Sequence, residues 1–538
     1  MTMLANLNAS LTCLKYTVLP LLIVSATKAH ASEPLVHCHT ASFEGTTVCK
    51  VNIASYAELA GGSVSACPAG VTSTGSALLC EETFSAAIDD AKLYFAASSP
   101  PTQPYVIGID SGTYDFSSQT QALKGKNGAI VLAEIAPASA GCLAGTPAET
   151  GIVTLSGNPC LIISGAGPDH TTLVTADGIS GISGTNVSHF MIENMTMAQP
   201  NHSTTQGIYV SQASQTINGT DYLTLTLDIA AGFPTPMELF KINCAKNGLH
   251  GCKIKGLNAA LNDIFMRAYT NSDTPELIDS ASLQDSNAQY PWGYPSLDNI
   301  IQEAVAPSRP DPVNFPNRWT LTLSSPRNQR PIPSFYSETT AGVANFVCMK
   351  VDNANALWFD DNPSGGTDII ANNLVWVNAA RSTFRGIKGS RIGDSLGAQV
   401  YNSSIERAPP VGGAVPCLST QSGGIQIGQP SDPATYGNAV YGLRAHGTGD
   451  DSLAVFNDIG GTLDGRGGYY PQTFIRHSSI GSSFARDILL VNAQKRSRLV
   501  GNSPVNIDPF TQAEINNKGH CDPLILGIGN CPVTYVTY

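Results

Sequence analysis

The sequence predicts an all-β chain, built as a solenoid of stacked strand–corner–strand units and interrupted by an inserted β-rich segment. Three observations lead there. The 538 residues include 51 Gly and 34 Pro but only 13% charged side chains, a balance that suits many turns and short strands. Short runs rich in Val and Ile recur between corners of Asn, Ser and Gly, without long helices between them. Two such units align without a gap, Val440 to Leu453 with Ile475 to Ile488. A unit of this size buries its apolar face only by stacking on its neighbours.

The first 31 residues read as an export signal. Lys15 precedes the apolar run "YTVLPLLIVSA", and "AHA" precedes Ser32. The run is too short for a permanent bilayer span, and no later segment reaches that length, so the expected location is secreted or periplasmic, without a membrane span. Of the 13 cysteines Cys13 falls in the signal, and the close spacing of the others suggests local disulfides. The expected pairs are Cys38 with Cys49, Cys67 with Cys80, Cys142 with Cys160, Cys244 with Cys252, and Cys521 with Cys531, leaving Cys348 and Cys417 to pair. No CxxC occurs, which argues against zinc. A net charge of −12 excludes a basic nucleic-acid binder as the default.

A Cys-rich segment, 32–83, leads to "FSAAIDDAKLYFAA" at 84–97, whose apolar spacing suits one amphipathic helix. This opens a first set of coils, 84–202, with "PYVIGIDSGTYDF", "CLIISGAGPDHTTLV" and "VSHFMIENMTMAQ". Residues 203–345 break the repeat; "TDYLTLTLD", "DIFMRAYTN" and "NRWTLTLSS" among Pro-rich connections predict an inserted small β-barrel or sandwich. Coils resume over 346–505, and a tail, 506–538, carries the last cysteine pair.

The order "FSAAIDDAKLYF", "VIGIDSGTYDF", "LIISGAGPDHTTLV" resembles the opening of the pectin-lyase-like superfamily. That resemblance implies a right-handed parallel β-helix, a fold shared by lyases, hydrolases, epimerases and adhesins. The interrupting barrel is similar to the layout of certain β-helical glycoside hydrolases.

Within the second set of coils, "RAHGTGDDSLAVFND" sets Asp450 beside Asp451 ahead of an apolar alternation. Leu453 and Val455 share a parity that would also bury Asp451, and an unpaired buried carboxylate costs several kcal/mol. The Gly-Thr-Gly before it offers a corner from which both acids project outward. Aligning Ile387, Ile425 and Ile488 on Leu453 gives the column Arg385, Gly423, Asp451, Arg486, at about 4.8 Å per coil. The glycine leaves a hollow beside the acids, and the arginines rim it. Two close carboxylates titrate as a pair, which provides a proton donor beside a charged base. Glycosidic cleavage needs that combination.

"GDD" before a buried strand resembles the double-Asp motif of polygalacturonase-like hydrolases, which implies general acid and water-activating base roles for Asp450 and Asp451. Where that family carries "NTDG" this chain has "QSGG", and "ARD" stands for "GHG", so a third acid, if the chemistry needs one, comes from Asp360 or Asp361, Asp432 or Asp487. Arg385, Lys388, Gln426, Arg486 and Trp358 are the expected substrate-binding residues, Trp358 as a stacking face and the cations favouring an anionic sugar. His446 reads as a corner residue.

The expectation is an exported, inverting glycoside hydrolase without cofactor, acting on a carbohydrate and compatible with a homo-oligomer. Two alternatives stay open. A polysaccharide lyase would use Arg385, Lys388 or Arg486 as base, with Ca²⁺ held by the two acids. A non-catalytic glycan-binding solenoid would use GDD as a hydrogen-bonded corner with the arginines as counter-ions.

Overall fold

In the computed structural model the described residues are chiefly 36–56, 77–97, 101–116, 128–135, 141–145, 147–175, 180–199, 204–217, 220–239, 265–269, 308–323, 346–350, 357–359, 368–378, 382–384, 397–420, 423–429, 438–449, 452–457, 473–481, 488–491, 498–500, 503–504 and 533–536. They are mostly strand with few helices. None of their helices is long and apolar enough to cross a membrane.

Two parallel sheets carry the repeat. In one, strands Tyr105–Ile109, Leu161–Gly165, Phe190–Ala198, Ile369–Val377, Ala398–Tyr401, Asn438–Tyr441 and Thr473–Arg476 follow each other as hydrogen-bonded neighbours. A side ladder of that sheet runs Ser404–Glu406, Arg444–His446, Ser479–Gly481. The second sheet stacks Ser180–Val187, Leu357–Phe359, Ser382–Phe384, Ile425–Gln429, Leu453–Asn457 and Ile488–Val491. From Ala398 onward each pass of the chain contributes one strand to each ladder, whereas Phe190–Ala198 and Ile369–Val377 each span two. Val440 pairs with Ile475, Ala445 with Ile480 and Leu453 with Ile488, so one sequence offset serves all three ladders. The gapless alignment of the two units is thus the physical register.

Alternation decides what faces inward. Ile182, Ile425, Leu453 and Ile488 lie within one apolar core with Ile107, Ile163, Ile192 and Ile369 from the other sheet. Removing an aliphatic side chain of this size from water contributes about 1.5–3 kcal/mol. Corners are set by backbone conformation. Asn194, Asn373 and Asn402 hold φ of 58°, 48° and 50°, and Asn373 Nδ2 donates to Asn194 Oδ1 at 2.8 Å. Asparagine tolerates this left-handed region because its short amide bonds locally.

The helix spans Ala77–Phe95, starting ahead of the expected 84 because Ala, Leu and Glu at its beginning are strong helix formers. It buries Phe84, Ala87, Ile88 and Ala91 in the core.

The interrupting segment supplies a five-stranded antiparallel sheet, ordered Phe265–Tyr269, Phe346–Lys350, Thr204–Ile217, Thr220–Ile229, Arg318–Leu323. Phe346–Lys350 therefore belongs to this sheet, pairing with Thr204–Ile208, whereas the sequence boundary had given it to the coils. The parallel ladder ignores the interruption. Phe190–Ala198 pairs directly with Ile369–Val377, and Ser180–Val187 with Leu357–Phe359.

Cys38 is bonded to Cys49, as the spacing suggests, and Cys348 to Cys417, the two left over from the close pairs. The expected bond between Cys142 and Cys160 is not formed. Both are buried as neighbouring thiols, and Cys142 Sγ donates instead to His189 O at 3.5 Å. With Leu155 they pack in one apolar cluster with Val106, Ile162, Met191 and Ile370 of the long sheet. Three further expected bonds, Cys67 to Cys80, Cys244 to Cys252, and Cys521 to Cys531, lie outside the described residues. Cys80 enters the description only through its backbone, as part of the helix Ala77–Phe95, while Cys252 and Cys531 do not enter it at all.

Burial pushes the Cys142 thiol up, and the neighbouring Cys160 adds to this. Held under mild reductant, native Cys142 is expected to resist iodoacetamide until denaturant is added, as read by mass spectrometry. Prompt native labelling would mean that this cluster opens.

Candidate functional site

The corner that leads into Leu453–Asn457 is built from buried small polar residues. Gly447, Thr448, Gly449 and Ser452 are all buried. Thr448 Oγ1 and Ser452 Oγ share a hydrogen bond of 2.8 Å across the corner. Ser419, Thr420 and Ile425 of the preceding pass hold it at three points. Ser419 N–H donates to Gly447 O at 2.7 Å, Gly449 N–H donates to Thr420 Oγ1 at 3.1 Å, and Ile425 N–H donates to Ser452 O at 2.9 Å. Backbone groups buried at a corner lack a strand partner, and these bonds replace it. Gly424 has to be glycine, because a Cβ there would collide with Ser452 O.

Arg407 lies against the same corner. A Cβ on Gly447 would sit 2.7 Å from its Nη2 and 3.0 Å from its Cζ, and Gly447 has φ +71°. Beside them His446 ends the strand Arg444–His446, with Nε2 2.9 Å from Ser479 Oγ. Burial lowers the His446 pKa, and Arg407 and Arg444 lower it further, so the imidazole is neutral near pH 7. Arg444 is exposed, 3.6 Å from Glu406 Oε1.

Asp450 and Asp451 lie outside the described residues, as do Asp361, Asp432, Asp487, Arg385, Lys388 and Arg486. Trp358 stands mid-strand, paired with Ser183 on one side and Thr383 on the other. Gln426 is buried in the next strand, between Thr383 and Ala454. Pairing of Ile425 with Leu453 and of Leu453 with Ile488 agrees with the stacking drawn from the sequence. The next pass back does not. Ser382, not Ile387, pairs with Ile425, so Arg385 is one residue past the end of Ser382–Phe384 and leaves the Gly423 column. A serine in an inward position broke the apolar pattern, and the next isoleucine took its place in the alignment.

Arg407, Thr420, Ser419 and Gln206 are site-forming residues that the sequence did not reveal. None sits in an apolar rhythm or a known motif; their partners lie one pass away or, for Gln206, across the interruption.

Glu193 is an acid of a different kind. It is 0% exposed, accepts from Ser164 Oγ at 3.1 Å and from Asn372 Nδ2 at 2.9 Å, and lies in the field of Glu44. Burial first, then the Glu44 charge, push it up to about 7, against the pull of its two donors. Complete enclosure keeps it from substrate, so its weight is structural. A folded pKa above the unfolded 4.5 means that the fold holds the proton more tightly. Stability from this group is full below the unfolded value and is lost as pH rises towards the folded one. The loss is on the order of 3 kcal/mol.

Searches against family models and against curated proteins found no match. Among solved structures a chain named "Glycoside hydrolase" aligns over 79% of this chain and 91% of its own, at 8% identity and a TM-score of 0.18. A likeness that slight carries no argument.

Two outcomes follow from the packing. Glu193→Gln should be more stabilising relative to the native chain at about pH 8 than at about pH 4, by the order of magnitude given, in denaturant titrations. An equal effect at both would mean that Glu193 ionises freely. Gly447→Ala should lower thermal stability through strain at positive φ, about 1–3 kcal/mol, and through the clash with Arg407. Its cost should shrink in an Arg407→Ala background, where the clash is gone; additive effects would separate the two residues.

Proposed function

We propose that this chain is an exported glycoside hydrolase with the architecture of a right-handed parallel β-helix. Asp450 and Asp451 serve as its acid/base pair on a carbohydrate. What supports the architecture is the run of parallel ladders in chain order. The two disulfides suit an oxidising compartment. The observation that carries the function is the corner itself. Gly449 and Ser452, which bracket the two acids in sequence, are each tied to residues 417–425, and a paired-acid tip on so fixed a base is preorganised.

The Ile425–Leu453 pairing supports the sequence alignment from which a hollow at Gly423 beside Asp451 is proposed. In this scheme the protonated acid donates to the glycosidic oxygen as the C–O bond breaks. The other carboxylate takes a proton from the water that attacks the anomeric carbon from the opposite face, which inverts the configuration. Proximity raises one pKa of the pair and supplies both protonation states together. Arg486 and Lys388 are assigned to substrate binding, with Trp358 as the stacking face. Asp361, Asp432 and Asp487 remain the candidates for a third acid. Arg385, out of the column, is assigned to the groove rim only.

Asp450→Asn and Asp451→Asn are each expected to remove cleavage of a glycan panel while thermal unfolding changes little. Products should carry new reducing ends without the ultraviolet absorbance of a 4,5-unsaturated uronic sugar, and calcium chelation should leave the rate unchanged. Absorbance that grows with cleavage and disappears in Arg486→Ala would make the chain a lyase with an arginine base.

A further inference from the structure

The corner leaves His446 without a role. Its surroundings on the side ladder suggest one. Strands Ser404–Glu406, Arg444–His446 and Ser479–Gly481 stack there, with Ile405, Ala445 and Ile480 turned into the apolar core. Alternation sends their neighbours outward. Ser404, Arg444 and Ser479 form one outer row, and His446 and Gly481 lie in the next, with Glu406 at the matching place on its strand.

Across these rows His446 Nε2 and Ser479 Oγ are 2.9 Å apart. The register partner of His446 is Gly481, which brings no side chain and so leaves room for the imidazole to reach diagonally to Ser479. Both members of the pair are only partly buried. With the imidazole protonated at Nδ1, Ser479 O–H donates to Nε2, the direction that proton abstraction needs. Burial, then Arg407 and Arg444, lower the proton affinity of His446, so the base is free near neutral pH. The same two cations favour negative charge developing on a bound substrate. Glu406 is engaged elsewhere, accepting from Ser404 Oγ at 2.8 Å and lying 3.6 Å from Arg444 Nη2. The ladder itself does not need the Ser–His bond, because Ser479 N–H already donates to Leu443 O at 2.8 Å.

We propose that Ser479 and His446 form a second hydrolytic site, one that cleaves small acyl esters. Ser479 Oγ attacks the ester carbonyl as its proton passes to His446 Nε2. Arg444, the register partner of Ser479, stabilises the oxyanion of the tetrahedral intermediate. The intermediate expels the alcohol, which leaves with that proton, and an acyl-serine remains. Water then attacks the acyl carbon and gives a proton to His446. Collapse releases the carboxylic acid and returns the proton to Ser479 Oγ. An ester suits the site better than an amide. With Glu406 committed to Ser404 and Arg444, no carboxylate from the neighbouring rung steadies the imidazolium, and an alcohol leaves more readily than an amine. The proposal is independent of the glycoside hydrolase assignment and of Asp450 and Asp451.

The test uses the full chain with 4-nitrophenyl acetate as substrate. Ser479→Ala and His446→Gln should each lower kcat/KM about 100-fold, the lower end of what a positioned base contributes. Arg444→Gln should lower kcat about 10-fold with a smaller change in KM, because its charge acts on the transition state and is exposed to water. The native rate should rise with pH as His446 loses its proton, with a midpoint below 6.5 in the field of Arg407, Arg444 and the opposing Glu406. Diisopropyl fluorophosphate adds a readout that a structural hydrogen bond would not give. It should label Ser479 of the native chain, read by peptide mass spectrometry, and more slowly in His446→Gln. The native label also decides the case in which the variants fold poorly.

Ester hydrolysis that persists in Ser479→Ala would overturn the proposal, as would a native chain that does not turn over the ester. Label that falls on other hydroxyls and spares Ser479 would overturn it too.

Discussion

Parallel register between successive passes is the constraint on which everything else here depends. Strands such as Arg444–His446 or Leu453–Asn457 are too short to hold an apolar face out of water by themselves, and each gains a core only from the rung before and the rung after. Because side chains alternate, a slip of one residue would turn Leu453 outward and bring Ala454 in, along with every residue paired to them. The shared offset of Val440–Ile475, Ala445–Ile480 and Leu453–Ile488 is the outcome of satisfying three ladders at once. Corners, in contrast, are free in length and composition: the one between Ser404–Glu406 and Ile425–Gln429 is much longer than the one between Arg444–His446 and Leu453–Asn457, yet the rungs stay paired. That is why chemistry can be placed at them without disturbing the core.

The interruption follows from the same constraint. Phe190–Ala198 and Ile369–Val377 pair as directly as any other two rungs, so the antiparallel sheet leaves and rejoins the coil between consecutive turns. Nothing in the core has to change to accommodate it. It does not hang free, however. The Cys348–Cys417 bond and the Gln206 clasp return it to the coil two passes further on, and Gly412 packs on Ala231 O so closely that a Cβ would not fit. A long insertion costs little closure entropy beyond a shorter one, and a crosslink across it removes part of even that cost.

Much of this was legible in the sequence where periodicity carries it. Ile425, Leu453 and Ile488 announce themselves as inward residues by alternation, and "TDYLTLTLD" and "NRWTLTLSS" read as strands for the same reason. Reading failed where a polar residue took an inward place. Ser382 occupies the rung position that Ile387 was given, since a buried serine has no periodic signature. Spacing alone paired Cys142 with Cys160, yet proximity of two thiols does not dictate that they oxidise. Phe346–Lys350 has the look of a coil strand, but it pairs antiparallel with Thr204–Ile208, a choice of partner that composition does not encode. Gln206 was illegible for a deeper reason. A buried amide clasp depends on a contact across the whole inserted segment, and one glutamine in a polar stretch looks like any other.

Buried polar side chains recur through the molecule, Glu193, Asn372, Gln399 and Asn438 among them, and several meet at this corner. Ser419, Thr420, Thr448, Ser452 and Gln206 are all shielded from water. Aliphatic residues of similar size would avoid the desolvation that these groups incur. Hydrophobic packing, though, tolerates small shifts, whereas a hydrogen bond weakens steeply when its angle changes. Polar contacts thus hold direction where apolar ones hold only volume. Gly447 O, Gly449 N–H and Ser452 O are each fixed in direction, on both sides of the two acids, by groups from one preceding segment. A corner that served only to reverse the chain would gain nothing from such exact aim. A corner built to hold a fixed backbone direction depends on it.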